Sequence, residues 1–170
     1  MKSSRKISAQ SIAVRIGVVS VALIVASSIA IDAIHLPGID ALALTLAWLA
    51  AHAVALLGVP AYSSGAVIDA NGFAAVIVQQ CTAIEVIVVF GTGVIVLPVS
   101  LRARLWALAL GVPALCVLNL ARVVSLLLIG ANLPEYLDLA HLAIWQTAMA
   151  FVGLALWLLW AQWASDGEGK

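Results

Sequence analysis

Three side chains of this sequence are of the types that together perform acyl transfer: Cys81, Arg122 and His141. A cysteine attacks a carbonyl as its thiolate, and a neighbouring cation or imidazole favours that form. A histidine takes the thiol proton and returns it to a leaving amine. An arginine, always protonated, stabilises the oxyanion of a tetrahedral intermediate. Polar residues that could support them stand nearby in the chain. Gln80 precedes Cys81, Glu85 follows it by one turn, Asn119 lies three residues before Arg122, and Trp145 lies four after His141. The only other cysteine, Cys116, makes neither a C-x-x-C pair nor a metal-ligand spacing with Cys81. No metal or cofactor is expected.

Cys81, Arg122 and His141 are far apart in sequence, so the chemistry depends on which elements carry them. Of the 170 residues 65% are apolar and 9% charged, and the mean hydropathy is +1.18. A soluble domain carries about a quarter charged residues. The chain therefore reads as one membrane-embedded, all-α domain over residues 1–170. Its net charge is zero with few, scattered basic residues, which argues against nucleic acid as a partner. Four segments have membrane-spanning character: Ile12–Ile31, Thr82–Leu101, Leu105–Ile129 and His141–Trp163. The basic start Met1–Lys6 resembles a signal peptide, but the apolar run after it is too long for a signal core and reads as a retained helix. Gly111 and Pro113 are expected to bend the third span, and Trp157, Trp160 and Trp163 to form an interfacial belt.

Charge bias sets the topology. Lys2, Arg5, Lys6 and Arg15 place the N-terminal stretch 1–11 in the cytoplasm, and Arg102 and Arg104 place the link between the second and third spans there as well. The first two spans bring the chain back inside, so a crossing by Ile39–Leu57 would leave Arg102 outside. That segment is expected to lie as an interfacial helix on the outer face. Asp32, Asp40, Asp69, Glu135 and Asp138 then fall outside, and residues 164–170 form a cytoplasmic tail. Between Val59 and Gln80 the helical pattern breaks. Asn71-Gly72, flanked by Ala66-Val67-Ile68 and by Phe73–Val78, predicts a small β-hairpin that ends at Gln79-Gln80-Cys81.

Helix rise then places the reactive residues. Cys81 lies about 21 residues before the Arg102–Arg104 turn and Arg122 about 18 to 20 after it, so both sit roughly 30 Å from that turn. His141, which opens the fourth span, falls at the same outer level. Each residue also has a plainer reading. A lone cysteine in a membrane helix is usually apolar filler, the reading given to Cys116. Arg122 could snorkel to the interface, or pair with Glu85, since buried charges in membranes take partners. His141 could be a simple interfacial polar residue, and His52 is a rival base on the same side. Trp145 shares the face of His141 and is expected to pack on its ring, or to act only as an anchor.

The runs Gln-Gln-Cys81-Thr82-Ala83-Ile84-Glu85, Leu118-Asn119-Leu120-Ala121-Arg122-Val123-Val124-Ser125-Leu126, and Pro134-Glu135-Tyr136 leading to His141 and Trp145-Gln146 resemble the exosortase/archaeosortase family, most closely exosortase H. The resemblance covers roughly Leu56 to Trp160. It implies a membrane cysteine protease or transpeptidase with Cys81, Arg122 and His141 as its catalytic residues. The family usually has Cys-Ser-Gly or Cys-Asn-Gly at the nucleophile, where this chain has Cys81-Thr82-Ala83. The implied partners are exported proteins with a C-terminal sorting signal: a short motif of the Ile-Pro-Thr-Leu type, one membrane helix and a basic tail. The implied location is the cytoplasmic (inner) membrane, with the site facing outward. A competing reading is an assembly subunit that uses Glu85, Asn119 and Arg122 as interhelical contacts. A transporter is disfavoured by the apolar stretches Gly91–Pro98 and Ala107–Ala114, and a thiol oxidoreductase by the missing C-x-x-C.

Overall fold

A computed structural model describes residues 38–167. The expected span Ile12–Ile31, the basic stretch 1–11, Asp32 and residues 168–170 lie outside the described residues. The first described helix, α1 (Ile39–Leu56), coincides with the segment expected to be helical on the outer face. Its buried residues Ala43, Ala47, Ala50, Ala51 and Val54 recur at the spacing of one helical stripe. That stripe packs on a small sheet and on a later long helix. The opposite side exposes Leu42, Leu44, Trp48, Leu49 and Leu56.

The sheet is a three-stranded antiparallel meander of β1 (Ala61–Ser64), β2 (Val67–Ala70) and β3 (Phe73–Val76). The expected hairpin is its second half. Asn71 and Gly72 have φ of 54° and 88°, the two positive values that a type I′ turn requires. Asp69 Oδ1 accepts from the Gly72 N–H at 3.0 Å. The additional strand, β1, has a weak sequence signal, because Ala-Tyr-Ser-Ser holds a single strand-favouring residue. It is joined to β2 through Gly65-Ala66, with Gly65 at φ 63°, as the first position of a II′ turn demands. Ile68 and Ala70 face α1.

From β3 the chain passes into a 3₁₀ turn, Gln79–Cys81, and then into α2 (Ile84–Val96). The expected span Thr82–Leu101 is corrected here. Helix α2 has 13 residues, or about 20 Å of rise against roughly 30 Å of hydrocarbon. Pro98 ends it by forcing the preceding residue out of the helical region; Leu97 is extended at φ −69°, ψ 132°. Arg104 donates to the Leu97 carbonyl at 2.9 Å, and Ser100 Oγ caps the next helix by accepting from the Ala103 N–H at 3.3 Å.

That helix, α3, runs Leu101–Asn132 and includes Pro113, so it outlasts the expected span at both ends. The last helical run also starts before His141. A 3₁₀ turn (Pro134–Tyr136) leads to a π-helical stretch (Leu139–Trp145) and then to α4 (Gln146–Gly167). Pro134 stands in the first turn, where its missing N–H is no loss. Two runs of 32 residues, Leu101–Asn132 and Pro134–Ser165, are long and apolar enough to cross a membrane. Only 28% and 6% of their most apolar windows are buried, too little for core helices of a soluble protein.

Two apolar clusters organise the described chain. One joins α1, the sheet and the end of α3 through Val54, Ile68, Ile77, Val123 and Leu127. The other joins α2, α3 and α4 through Phe90, Val94, Ala107 and Leu115, with Trp157 and Trp160 packed against it. Two of the tryptophans expected in an interfacial belt thus pack between helices instead. Trp160 Nε1 donates to the Ala103 carbonyl at 2.9 Å, while Trp163 is exposed.

Ring contacts set the approach of these elements. A Cβ at Gly130 would overlap the Phe73 ring and one at Gly111 the Phe90 ring, whereas one at Gly153 would meet only Val86, at 3.6 Å. Gly130→Ala and Gly111→Ala should each cost about 1–3 kcal/mol, as overpacking does. Thermal unfolding in detergent should show a lowered Tm for both and no loss for Gly153→Ala. Equal Tm values for all three would contradict this packing.

Candidate functional site

The site forms where the 3₁₀ turn after β3 meets the middle of α3 and the π-helical start of the last run. Cys81 closes the 3₁₀ turn, half-buried against the α1–sheet cluster. Its N–H donates to the Val78 carbonyl at 2.9 Å. Thr82 Oγ1 donates to the Gln79 carbonyl at 2.6 Å, so the turn is held from both sides of the cysteine. Thr82, a buried polar residue, was not among the sequence-derived candidates. The readable signal for it is the habit of threonine to bond its own local backbone.

Asn119 supplies the long-range tie. It is 2% exposed, on the α3 stripe that also buries Leu115 and Val123, and its Nδ2 donates to the Cys81 carbonyl at 2.8 Å. One turn further along, Arg122 is half-buried and its Nη2 lies 3.2 Å from His141 Nε2. A guanidinium only donates, so Nε2 is the acceptor and the neutral ring carries its proton on Nδ1. His141 is the third residue of the π-helical stretch, a geometry that recurs at functional sites. Cys81 and Asn119 thus meet directly, as do Arg122 and His141, with the two pairs joined along one turn of α3.

The Cys81 thiol has no hydrogen-bond partner among the described residues, and the Nε2 lone pair of His141 is occupied by Arg122. The described residues therefore hold no preformed thiol–imidazole pair. Such bonds often form only in the substrate complex. Asn119 Oδ1 and Arg122 Nε are buried and have no hydrogen-bond partner among the described residues.

Other expected neighbours stay apart. Glu85, half-buried in the first turn of α2, makes no ion pair with Arg122 or any other described residue. The sequence places it at the right depth, but Arg122 turns to His141 instead. Trp145 is half-buried and makes no ring contact with His141. Gln80 and Cys116 are exposed. His52 is engaged on its own helix: Nδ1 bonds the Trp48 carbonyl at 2.7 Å and the ring lies 4.2 Å from that of Trp48. Among the described residues no group of three His, Cys, Asp or Glu could hold a metal. An apolar cleft lined by Phe90, Trp106, Leu110, Leu156, Trp160 and Trp163 holds none of the reactive residues.

With no ion-pair partner among the described residues, Glu85→Gln should leave the unfolding free energy unchanged or raise it, because an uncharged amide costs less to bury than an unpaired carboxylate. A loss of about 3 kcal/mol or more, as when one member of a buried ion pair is removed, would show that Glu85 is paired after all. Denaturant or thermal unfolding in detergent measures the difference.

A family of transmembrane exosortases, of the EpsH type, matches residues 8–161 of this chain. No curated protein and no solved structure gives a significant match. The matched region includes every element from α1 to Ala161 of α4, with Cys81, Asn119, Arg122 and His141 inside it. The chain belongs to the transmembrane exosortase family.

Proposed function

We propose that this protein is a membrane cysteine endopeptidase or transpeptidase that cuts C-terminal sorting signals from exported proteins at the outer face of the cytoplasmic membrane. The observation that carries the reading is the meeting of the nucleophile-bearing turn, α3 and the π-helical stretch, through Asn119 on the Cys81 carbonyl and Arg122 on His141. Three residues of acyl-transfer type thereby share one locality in a chain of the exosortase family.

The proposed sequence runs as follows in bonds and protons. The substrate carbonyl enters beside Arg122 as the acceptor of its remaining N–H, and the His141 ring turns its Nε2 from Arg122 Nη2 towards the Cys81 thiol. His141 takes the Cys81 thiol proton, and Sγ forms a bond to the carbonyl carbon. The resulting oxyanion is stabilised by Arg122. Collapse breaks the C–N bond, His141 returns the proton to the departing amine, and the membrane helix with its basic tail leaves. The thioester on Cys81 is then resolved by water or by an acceptor amine, with His141 taking a proton from the incoming group. A substrate whose basic tail stays in the cytoplasm presents its motif at the outer face, and the Ile-Pro-Thr-Leu class of motif is the one proposed. Gln80, Glu85 and Trp145 are the nearby residues proposed to support substrate binding.

A second reading has its own observation: both contacts also suit interhelical polar glue in an assembly subunit. Co-expression of an exported protein bearing such a C-terminal signal separates the two. Tail cleavage with the wild type and its loss in Cys81→Ala at equal protein level is expected, a fall of at least 10³-fold for removal of a nucleophile. Undiminished cleavage by Cys81→Ala would overturn the cysteine mechanism, and a wild type that leaves every such signal intact would favour the assembly reading.

A further inference from the structure

We infer that Asn119 and Arg122 form a subsite for the backbone of one substrate residue, the residue whose carbonyl Cys81 attacks: Asn119 Oδ1 accepts its N–H, and Arg122 Nε donates to its C=O. This rests on the peptidase reading above and specifies what the site grips.

Two buried polar atoms at the site, Asn119 Oδ1 and Arg122 Nε, have no partner among the described residues. Buried polar groups in proteins are almost always hydrogen-bonded, so each such exception calls for a reason. The orientation of Asn119 is fixed by chemistry. The Cys81 carbonyl only accepts, so the NH₂ group faces it at 2.8 Å and Oδ1 must point elsewhere. The orientation of Arg122 is fixed as well, because Nη2 is spent on His141 and Nε is left over. Two further atoms share this condition among the described residues, Arg104 Nε and Trp157 Nε1. Neither is next to a reactive group: Arg104 closes the α2–α3 turn and the Trp157 ring lies against Gly93.

Asn119 and Arg122 differ in this. They stand three residues apart on one helix, hence on neighbouring positions of one face, and they offer one acceptor and one donor. An extended residue presents its own N–H and C=O side by side on one edge, as paired strands do. The two atoms are complementary to that edge. Cys81, Arg122 and His141 are each part-exposed, while Asn119 Oδ1 and Arg122 Nε are themselves buried, so the subsite requires an entering backbone to displace the atoms that close over the pair. The same placement puts the attacked carbonyl on Arg122, where the oxyanion develops. Asn119 then has two bonds with two tasks: Nδ2 holds the nucleophile's own carbonyl, and Oδ1 holds the substrate.

One consequence is a restriction on sequence. The residue before the cut must carry an N–H, so proline is excluded there. The test uses the purified full-length protein in lipid nanodiscs with a synthetic peptide containing a sorting motif and its membrane helix. A second peptide replaces only that N–H by an ester oxygen. Wild type should acylate at least tenfold more slowly with the ester peptide. Asn119→Ala should be slow with the amide peptide and lose no more than a further twofold with the ester. Asn119→Asp, which keeps an acceptor, should retain the tenfold ester penalty whatever its absolute rate. A merely structural Asn119 would lower rates while leaving the ester penalty in Asn119→Ala at tenfold, and that result overturns the subsite. Equal rates of wild type on both peptides overturn it too, with the peptidase reading intact. Failure of wild type on both peptides overturns the peptidase reading and the subsite with it.

Discussion

The hydrogen bond from Asn119 to the Cys81 carbonyl is the interaction on which the rest of the arrangement depends. It spans 38 residues of sequence and fixes the turn that carries the thiol to a specific level of α3. A buried side-chain bond of this kind contributes about 1 kcal/mol net, and losing one partner costs more because the other is stranded. In an apolar setting that asymmetry sharpens, so the bond specifies position more than it adds stability. Arg122 and, through it, His141 take their places one turn away along the same helix.

The packing around this bond explains why the turn can be so short. The cluster of α1, the sheet and the end of α3 approaches closely because α1 offers alanine at Ala43, Ala47, Ala50 and Ala51. Phe73 fills the space at Gly130 on α3. These contacts hold β3, and with it the turn Gln79–Cys81, against α3. On the other side, Phe90 against Gly111 draws α2 onto α3, and Trp157 against Gly93 draws α4 onto α2. The reactive residues lie between the two clusters, where backbone departs from regular helix in a 3₁₀ turn and a π-helical stretch.

Much of this can be read in the sequence, for identifiable reasons. Asn71-Gly72 announces its turn because few residues adopt two successive positive φ values. The level of Arg122 follows from helix rise along α3 counted from Arg102, whereas that of Cys81 is set by the Asn119 bond, because α2 is too short to carry the count. Other features leave weaker traces. Strand β1 is hidden by small and polar residues after Pro60, and the end of α2 depends on Pro98, whose effect falls on Leu97. The early start of the last run depends on Pro134, which is as compatible with a loop as with a first helical turn. No local pattern in residues 139–145 distinguishes a π-helix from an α-helix, so the π-helical stretch that carries His141 is invisible in one dimension. The choice of Arg122 between Glu85 and His141 is a matter of three-dimensional reach. Depth alone allowed both.

The central claim is that Cys81 forms a covalent acyl bond to its substrate. It is tested most directly by reacting the purified full-length protein with a sorting-signal peptide, quenching in acid, and measuring intact and fragment masses. The account predicts a mass increase equal to the peptide segment before the cut. That increase should map to Cys81, be released by hydroxylamine as a thioester is, and accompany free tail peptide. Tail release with an unmodified Cys81 under conditions that trap thioesters, or an adduct on any other residue, would contradict it.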